Sequence, residues 1–89
     1  MQDHKEAAKL YRLSAEQGNN VAQNYLGVLY VLGHGVSQNY VLAHMWFSLS
    51  GSRGLKDGVE NKKRIEEKMS KQQIEEAQKK ARNWKARKQ

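Results

Sequence analysis

The sequence predicts an all-α protein: a short α/α solenoid of about one and a half helix-turn-helix repeats, closed by a C-terminal capping helix. Three observations carry this expectation. Apolar residues recur at three- and four-residue spacing in successive segments, which is the period of a half-buried helix. No stretch alternates with period two for long enough to make a strand. The first helical segment matches a later one when the chain is shifted against itself by 36 positions.

The first segment, Asp3 to Gln17, places Ala7, Leu10, Tyr11 and Ser14 on one face. Asp3 caps its start, with Glu6 three residues on as a capping-box partner. Gly18 suits the left-handed position just beyond a helix C-terminus, where a β-carbon is penalised. Asn19 or Asn20 then caps a second helix with the stripe Ala22, Tyr25, Leu26 and Leu29. This helix ends at Gly33. After "GHGVSQ", Asn39 caps a third helix whose stripe is Ala43, Trp46, Phe47 and Ser50, ending between Gly51 and Gly54.

The fourth segment has Gly58, Asn61, Ile65 and Met69 at helical spacing. In "MSKQQI", Ser70 and Gln73 make a capping box, and Met69 and Ile74 take the positions of a hydrophobic staple. A fifth helix follows with Ile74, Ala77, Ala81 and Trp84 in its stripe. The expected division of the single domain, residues 1–89, is a first repeat over 3–38, a divergent second repeat over 39–69 and a C-terminal helix over 70–88.

The 36-residue shift superposes Asp3 on Asn39, Ala7 on Ala43, Leu10 and Tyr11 on Trp46 and Phe47, and Leu13, Ser14 and Gly18 on Leu49, Ser50 and Gly54. Four of sixteen positions are identical, against about one expected from average composition. The matches fall on the inferred buried face and the terminating glycine. A helix-turn-helix period in the mid-thirties belongs to the α-solenoid class, in which each unit leaves an apolar face that only its neighbour buries.

Composition bounds the rest. A chain of 89 residues buries roughly 60–65% of its unfolded surface, so the domain is small and marginal. No cysteine is present, so disulfides do not supplement the core. No apolar run approaches the ~20 residues that cross a bilayer, and the start "MQDHKEAAKLY" lacks the pattern of a secretion signal. A cytoplasmic location is expected if the chain is complete; a periplasmic or secreted one stays open if it belongs to a longer protein. All of the net charge of +7 lies in residues 53–89, because residues 1–52 balance three Lys and Arg with three Asp and Glu. Such asymmetry raises an anionic partner as an alternative. The six acids interspersed there, and the lack of aromatics spaced for base stacking, weigh against nucleic acid.

No motif proposes a reaction, a cofactor or a metal. His4 and His44 lie on separate helices without a second ligand four residues on, and the glycines of "GHGV" end a helix rather than open one from a strand. His34 reads as an exposed spacer, Trp46 as core, and Trp84 as a residue packing back on Ile65 and Met69. Tyr40 and His44, four apart, share a face of the third helix opposite its buried stripe. His4 and Ala8 take the same places on the first helix, flanked by Lys5 and Arg12.

Ala15, Gly18, Ala22, Leu26, Gly27, Tyr30, Gly33, Gly35, Val36, Ala43, Trp46 and Gly54 together resemble the pattern of the Sel-one-like repeat (SLR) family, α/α solenoids related to the tetratricopeptide repeats. "LGVLYVLGHGV" is its most specific part. Asn39 stands where the family has aspartate, and Ser50-Gly51 where it has paired alanines. The resemblance covers residues 3 to about 54. It implies an adaptor without catalytic activity that gathers other proteins, often in bacteria. It also implies that the face bearing His4, Lys5, Arg12, Tyr40 and His44 lines a groove for a protein or peptide. The short stack and the uncovered first helix predict self-association.

Overall fold

The computed structural model describes residues 3–87 and consists of five α-helices: α1 (His4–Glu16), α2 (Asn20–Leu32), α3 (Tyr40–Ser52), α4 (Lys56–Glu66) and α5 (Lys71–Asn83). No strand occurs among the described residues. α1 packs on α2, α3 packs on α2, α4 and α5, and α2 reaches α4. The order is that of a helical array in which each helix lies beside its sequence neighbour or the next but one.

Local chemistry sets the boundaries. Asp3 Oδ1 accepts from the N–H groups of Lys5 and Glu6 at 3.0 and 3.4 Å. Asn19 Oδ1 accepts from the Ala22 N–H at 2.9 Å, and Asn39 Oδ1 from the Leu42 N–H at 3.0 Å. These satisfy amide donors that lack an intrahelical partner. Asn20 is thereby freed for tertiary work: its Nδ2 donates to the Arg53 carbonyl, and its own carbonyl accepts from Ser50 Oγ. Ser70 and Gln73 form the reciprocal capping box at the start of α5.

The glycine pair makes the joint between α2 and α3. Gly33 is left-handed (φ 72°) and its N–H donates to the Leu29 carbonyl, ending α2. Gly35 (φ 79°) lies so close to the backbone of His4 and Lys5 that a β-carbon there would collide with it. The loop therefore seats on the start of α1. His34 is exposed and its ring stacks on that of His4, centroids 4.5 Å apart.

The core comprises Ala15, Ala22, Leu26, Tyr30, Ala43, Met45, Trp46, Phe47, Leu49 and Ile65. Gly27 lets α2 meet α3, since a β-carbon there would lie 2.5 Å from Phe47 Cε1. Gly51 and Gly58 do the same for α3 and α4; a β-carbon on Gly58 would lie 2.8 Å from the Gly51 nitrogen. Ser50-Gly51, where the family has paired alanines, is thus a place where α4 packs close on α3.

Several expected faces are corrected. On α1 the buried residues are Ala8 and Ala15, while Leu10 is exposed and Ala7, Tyr11 and Ser14 are half-buried. On α2, Tyr25 is exposed and stacks on Tyr11 at 5.3 Å. Gln23 and Asn24, two polar residues outside the expected stripe, are buried because α2 is covered by α1, α3 and α4 together. α5 stops at Asn83, so the expected helical end within 70–88 is shorter, and residue 88 lies outside the described residues. Trp84 has left the helix (φ −73°, ψ 139°) and packs against the core, its ring meeting that of Trp46 with centroids 6.0 Å apart.

Candidate partner-binding site

The five residues nominated from the sequence do not form one surface. His4 and Lys5 are exposed on the first turn of α1, beside the glycine loop. Arg12 lies two turns on, and its Nη2 donates to the Tyr30 hydroxyl at 2.8 Å, tying α1 to α2. Tyr40, the first residue of α3, is half-buried and packed against the core.

His44 departs furthest from expectation. Its side chain is 0% exposed, and Nε2 shares a 2.7 Å hydrogen bond with Glu66 Oε2 of α4. The face opposite the expected stripe of α3 is covered by α4, so His44 is an internal contact and unavailable to a partner. The 36-residue shift contained a clue: its counterpart Ala8 is also buried.

Ser48, one turn beyond His44, has its hydroxyl 3.4 Å from Nδ1. A hydroxyl, an imidazole and a carboxylate thus stand in a line. Ser48 lies inside a continuous helix, where the surrounding N–H groups are bonded to carbonyls four residues back. No pair of free backbone donors faces the hydroxyl to stabilise an oxyanion. The arrangement joins α3 to α4. Among the described residues no group of three or more His, Cys, Asp or Glu is placed to hold a metal ion.

Two surfaces have the makings of a docking site. At the α1–α2 end, Leu10, Tyr11, Val21 and Tyr25 line a shallow depression, with exposed Leu13 one turn along α1. Glu16 at the end of α1, Trp46 in the middle of α3 and Arg53 just beyond its end receive Trp84 and Arg87. The Arg53 guanidinium stands 5.5 Å from the centroid of the Trp84 ring. The Arg87 N–H donates to the Glu16 carbonyl at 2.6 Å, and its guanidinium lies 3.5 Å from the Glu16 carboxylate. The uncovered first helix was expected from the sequence to self-associate, but Val21 and Tyr25 of α2 were not expected on that surface, and the surface around residues 84–87 was not expected at all.

The positive charge of the second half is spread over exposed Lys and Arg of α4 and α5, interleaved with exposed Glu60, Glu67, Glu75 and Glu76. Among the described residues no helix is long and apolar enough to cross a membrane.

The residues that bore the family resemblance hold the structure together: Ala15, Ala22, Leu26, Tyr30, Ala43 and Trp46 are core, and Gly18, Gly33, Gly35 and Gly54 all have positive φ. The family model of the Sel1 repeat matches residues 1–19 and 20–55. The chain belongs to the Sel1 repeat family. Its second match pairs α2 with α3, whereas the first repeat expected from the sequence, residues 3–38, pairs α1 with α2, a difference only in where the unit is opened. Among solved structures, the Sel1 chain is similar to a crystallised protective antigen present in uropathogenic Escherichia coli strains, described as displaying an SLR fold. The two share 34% identity with a TM-score of 0.89 over 92% of this chain. The match spans 18% of the antigen's length. No curated protein matches the sequence. Sel1 repeats are typically protein-interaction modules and generally non-catalytic.

Proposed function

We propose that this Sel1 repeat chain is a bacterial adaptor or scaffold module, without catalytic activity, that binds other proteins through its α1–α2 end. The observation that carries the reading is the cluster of large exposed apolar side chains there: Leu10, Leu13, Val21 and Tyr25. A helical repeat buries such a face only against a neighbouring unit. α3, at the equivalent place one repeat later, is covered by three helices. An apolar patch on an otherwise polar surface marks an interaction site. A helix pair of another protein, or of a second copy of this chain, is the kind of partner such an apolar face takes.

The test compares the wild-type chain with Leu10→Glu/Tyr25→Glu in cross-linking capture and in light scattering at high micromolar concentration. The wild type is expected to recover protein partners or to self-associate, and the double variant to lose both while retaining its helical content. A wild type that stays monomeric and captures nothing, or a variant that behaves like it, overturns the reading.

A further inference from the structure

We propose that Glu16, Trp46 and Arg53 form a second receptor site, which takes an extended peptide bearing an aromatic side chain and, three residues towards its C-terminus, an arginine, and that this chain's own residues 84–87 occupy it in cis. The proposal rests on the reading of the chain as an interaction module, but on a surface separate from the α1–α2 end.

The first argument is conformational. Lys85, Ala86 and Arg87 are strong helix formers, and neither proline nor glycine follows Asn83. Local preference would carry α5 onward. Instead Trp84 takes extended dihedrals (φ −73°, ψ 139°), and Arg87 reaches the end of α1. Docking imposes this shape, so the surface that receives the segment has its own affinity for extended backbone.

The second argument is the chemistry of the contacts. Glu16 is the last residue of α1, and its carbonyl has no acceptor role within the helix. The Arg87 N–H satisfies it at 2.6 Å. Any extended chain offers such a donor, so this contact sets position without selecting sequence. Side chains do the selecting. The Trp84 ring meets Trp46 edge-on, at an interplanar angle of 72°, and Arg53 stands against it, a pairing that favours an electron-rich aromatic face. Arg53 is held over the Gly18 turn, where a β-carbon would approach its Nη1 to 3.1 Å. Arg87 brings a cation to the negative end of the α1 dipole and to the Glu16 carboxylate. Trp84 at Trp46 and Arg53 and Arg87 at Glu16, three residues apart in the chain, fix the aromatic-to-arginine spacing.

The third argument is that the segment is exchangeable. Lys85 and Ala86 are exposed, Arg87 is 73% exposed at its side chain, and an ion pair this open to water contributes little. A competing peptide has only the aromatic anchor and one backbone bond to displace.

The experiment uses the full chain and a fluorescein-labelled peptide RNWKAR, the sequence of residues 82–87, read by anisotropy. Trp84→Ala/Arg87→Ala is expected to bind the peptide about tenfold or more tighter than wild type, because cis occupancy lowers the fraction of competent sites. Replacing tryptophan with alanine in the peptide is expected to abolish the gain, and adding Glu16→Lys to that variant to reduce it. Equal affinity for wild type and variant, or indifference to Glu16→Lys, overturns the site. Should the variant lose its helical circular dichroism, hydrogen exchange of the Arg87 amide in the wild-type chain decides instead. Excess peptide is expected to speed it; unchanged exchange overturns the site. A concentration-dependent dimer that Trp84→Ala/Arg87→Ala abolishes would assign the site to exchange between copies and overturn the partner peptide. Failure here leaves partner capture through the α1–α2 end intact, and failure of that capture leaves peptide binding measurable.

Discussion

Helices α1 and α3 stand one repeat apart, and their matched side chains live in different surroundings. Leu10 is 58% exposed where Trp46 is 6% exposed, and Leu13 is 49% exposed where Leu49 is 8% exposed. Tyr11 is half-buried where Phe47 is in the core. The caps agree, with Asp3 and Asn39 each accepting from the first turn, and so do the terminating glycines, Gly18 at φ 100° and Gly54 at φ 98°. The two helices differ in their neighbours: α3 lies among α2, α4 and α5, while the extensive contact of α1 is with α2. Repeat position thus dictates backbone and capping, and the number of covering helices dictates burial. An apolar residue at a repeat's core position becomes a surface residue with docking potential where fewer helices cover it.

Core truncation breaks the comparison most forcefully. Phe47→Ala is expected to cost about 3–5 kcal/mol, enough to unfold much of so small a domain, whereas Tyr11→Ala, its counterpart, loses about 0.5–1.5 kcal/mol through the Tyr25 stack. Urea unfolding of both variants checks the ratio; equal losses would mean that α1 is as deeply embedded as α3.

Gly58→Ala probes the close approach that gives α3 its third neighbour. Helix propensity alone predicts a gain of about 1 kcal/mol. The added β-carbon meets the Gly51 nitrogen and Ser50 at 2.8 Å, and Ser50 Oγ donates to the Asn20 carbonyl at 2.7 Å. The expected outcome is a net loss of about 1–3 kcal/mol by thermal or urea unfolding; stabilisation would show that α4 can retreat freely.

Glu66→Ala tests the polar tie between α3 and α4. His44 is fully buried but the Glu66 side chain is 31% exposed, so water can partly replace the carboxylate. A loss of about 1 kcal/mol is expected. The counterpart position in α1 is Ala8, which has no such partner.

The smallest stability effect belongs to the open end. Leu10→Glu is expected to change unfolding free energy by no more than about 0.5 kcal/mol while reducing partner capture or self-association. A large destabilisation would place Leu10 in the core.

Much of the fold was legible along the chain. The stop signals Gly18 and Gly33, the caps Asp3, Asn19, Asn39 and Ser70, and the stripe Ala43, Trp46, Phe47 and Ser50 all stand where local spacing put them. The candidate site was legible only in part. Tyr40 and His44 do share a face by spacing, but periodicity says which residues lie together and never what lies opposite them. His44 therefore read as surface until α4 was seen to cover it. Tyr25 read as core because its spacing fits the stripe, although no helix packs over it.

By itself the sequence determined that the chain is helical, where its first three helices begin and end and where the fifth begins, and that two of the helices are repeats of one another. These properties depend on side-chain spacing, capping oxygens and glycine conformations within a few residues of each other. Only the tertiary structure decided which face of each helix is buried, that Gln23 and His44 lie inside while Leu10 and Tyr25 lie outside, and that Trp84 abandons α5 to meet Trp46. Those outcomes depend on contacts between residues far apart in the chain, where the burial of apolar surface outweighs the small free energies that govern local conformation.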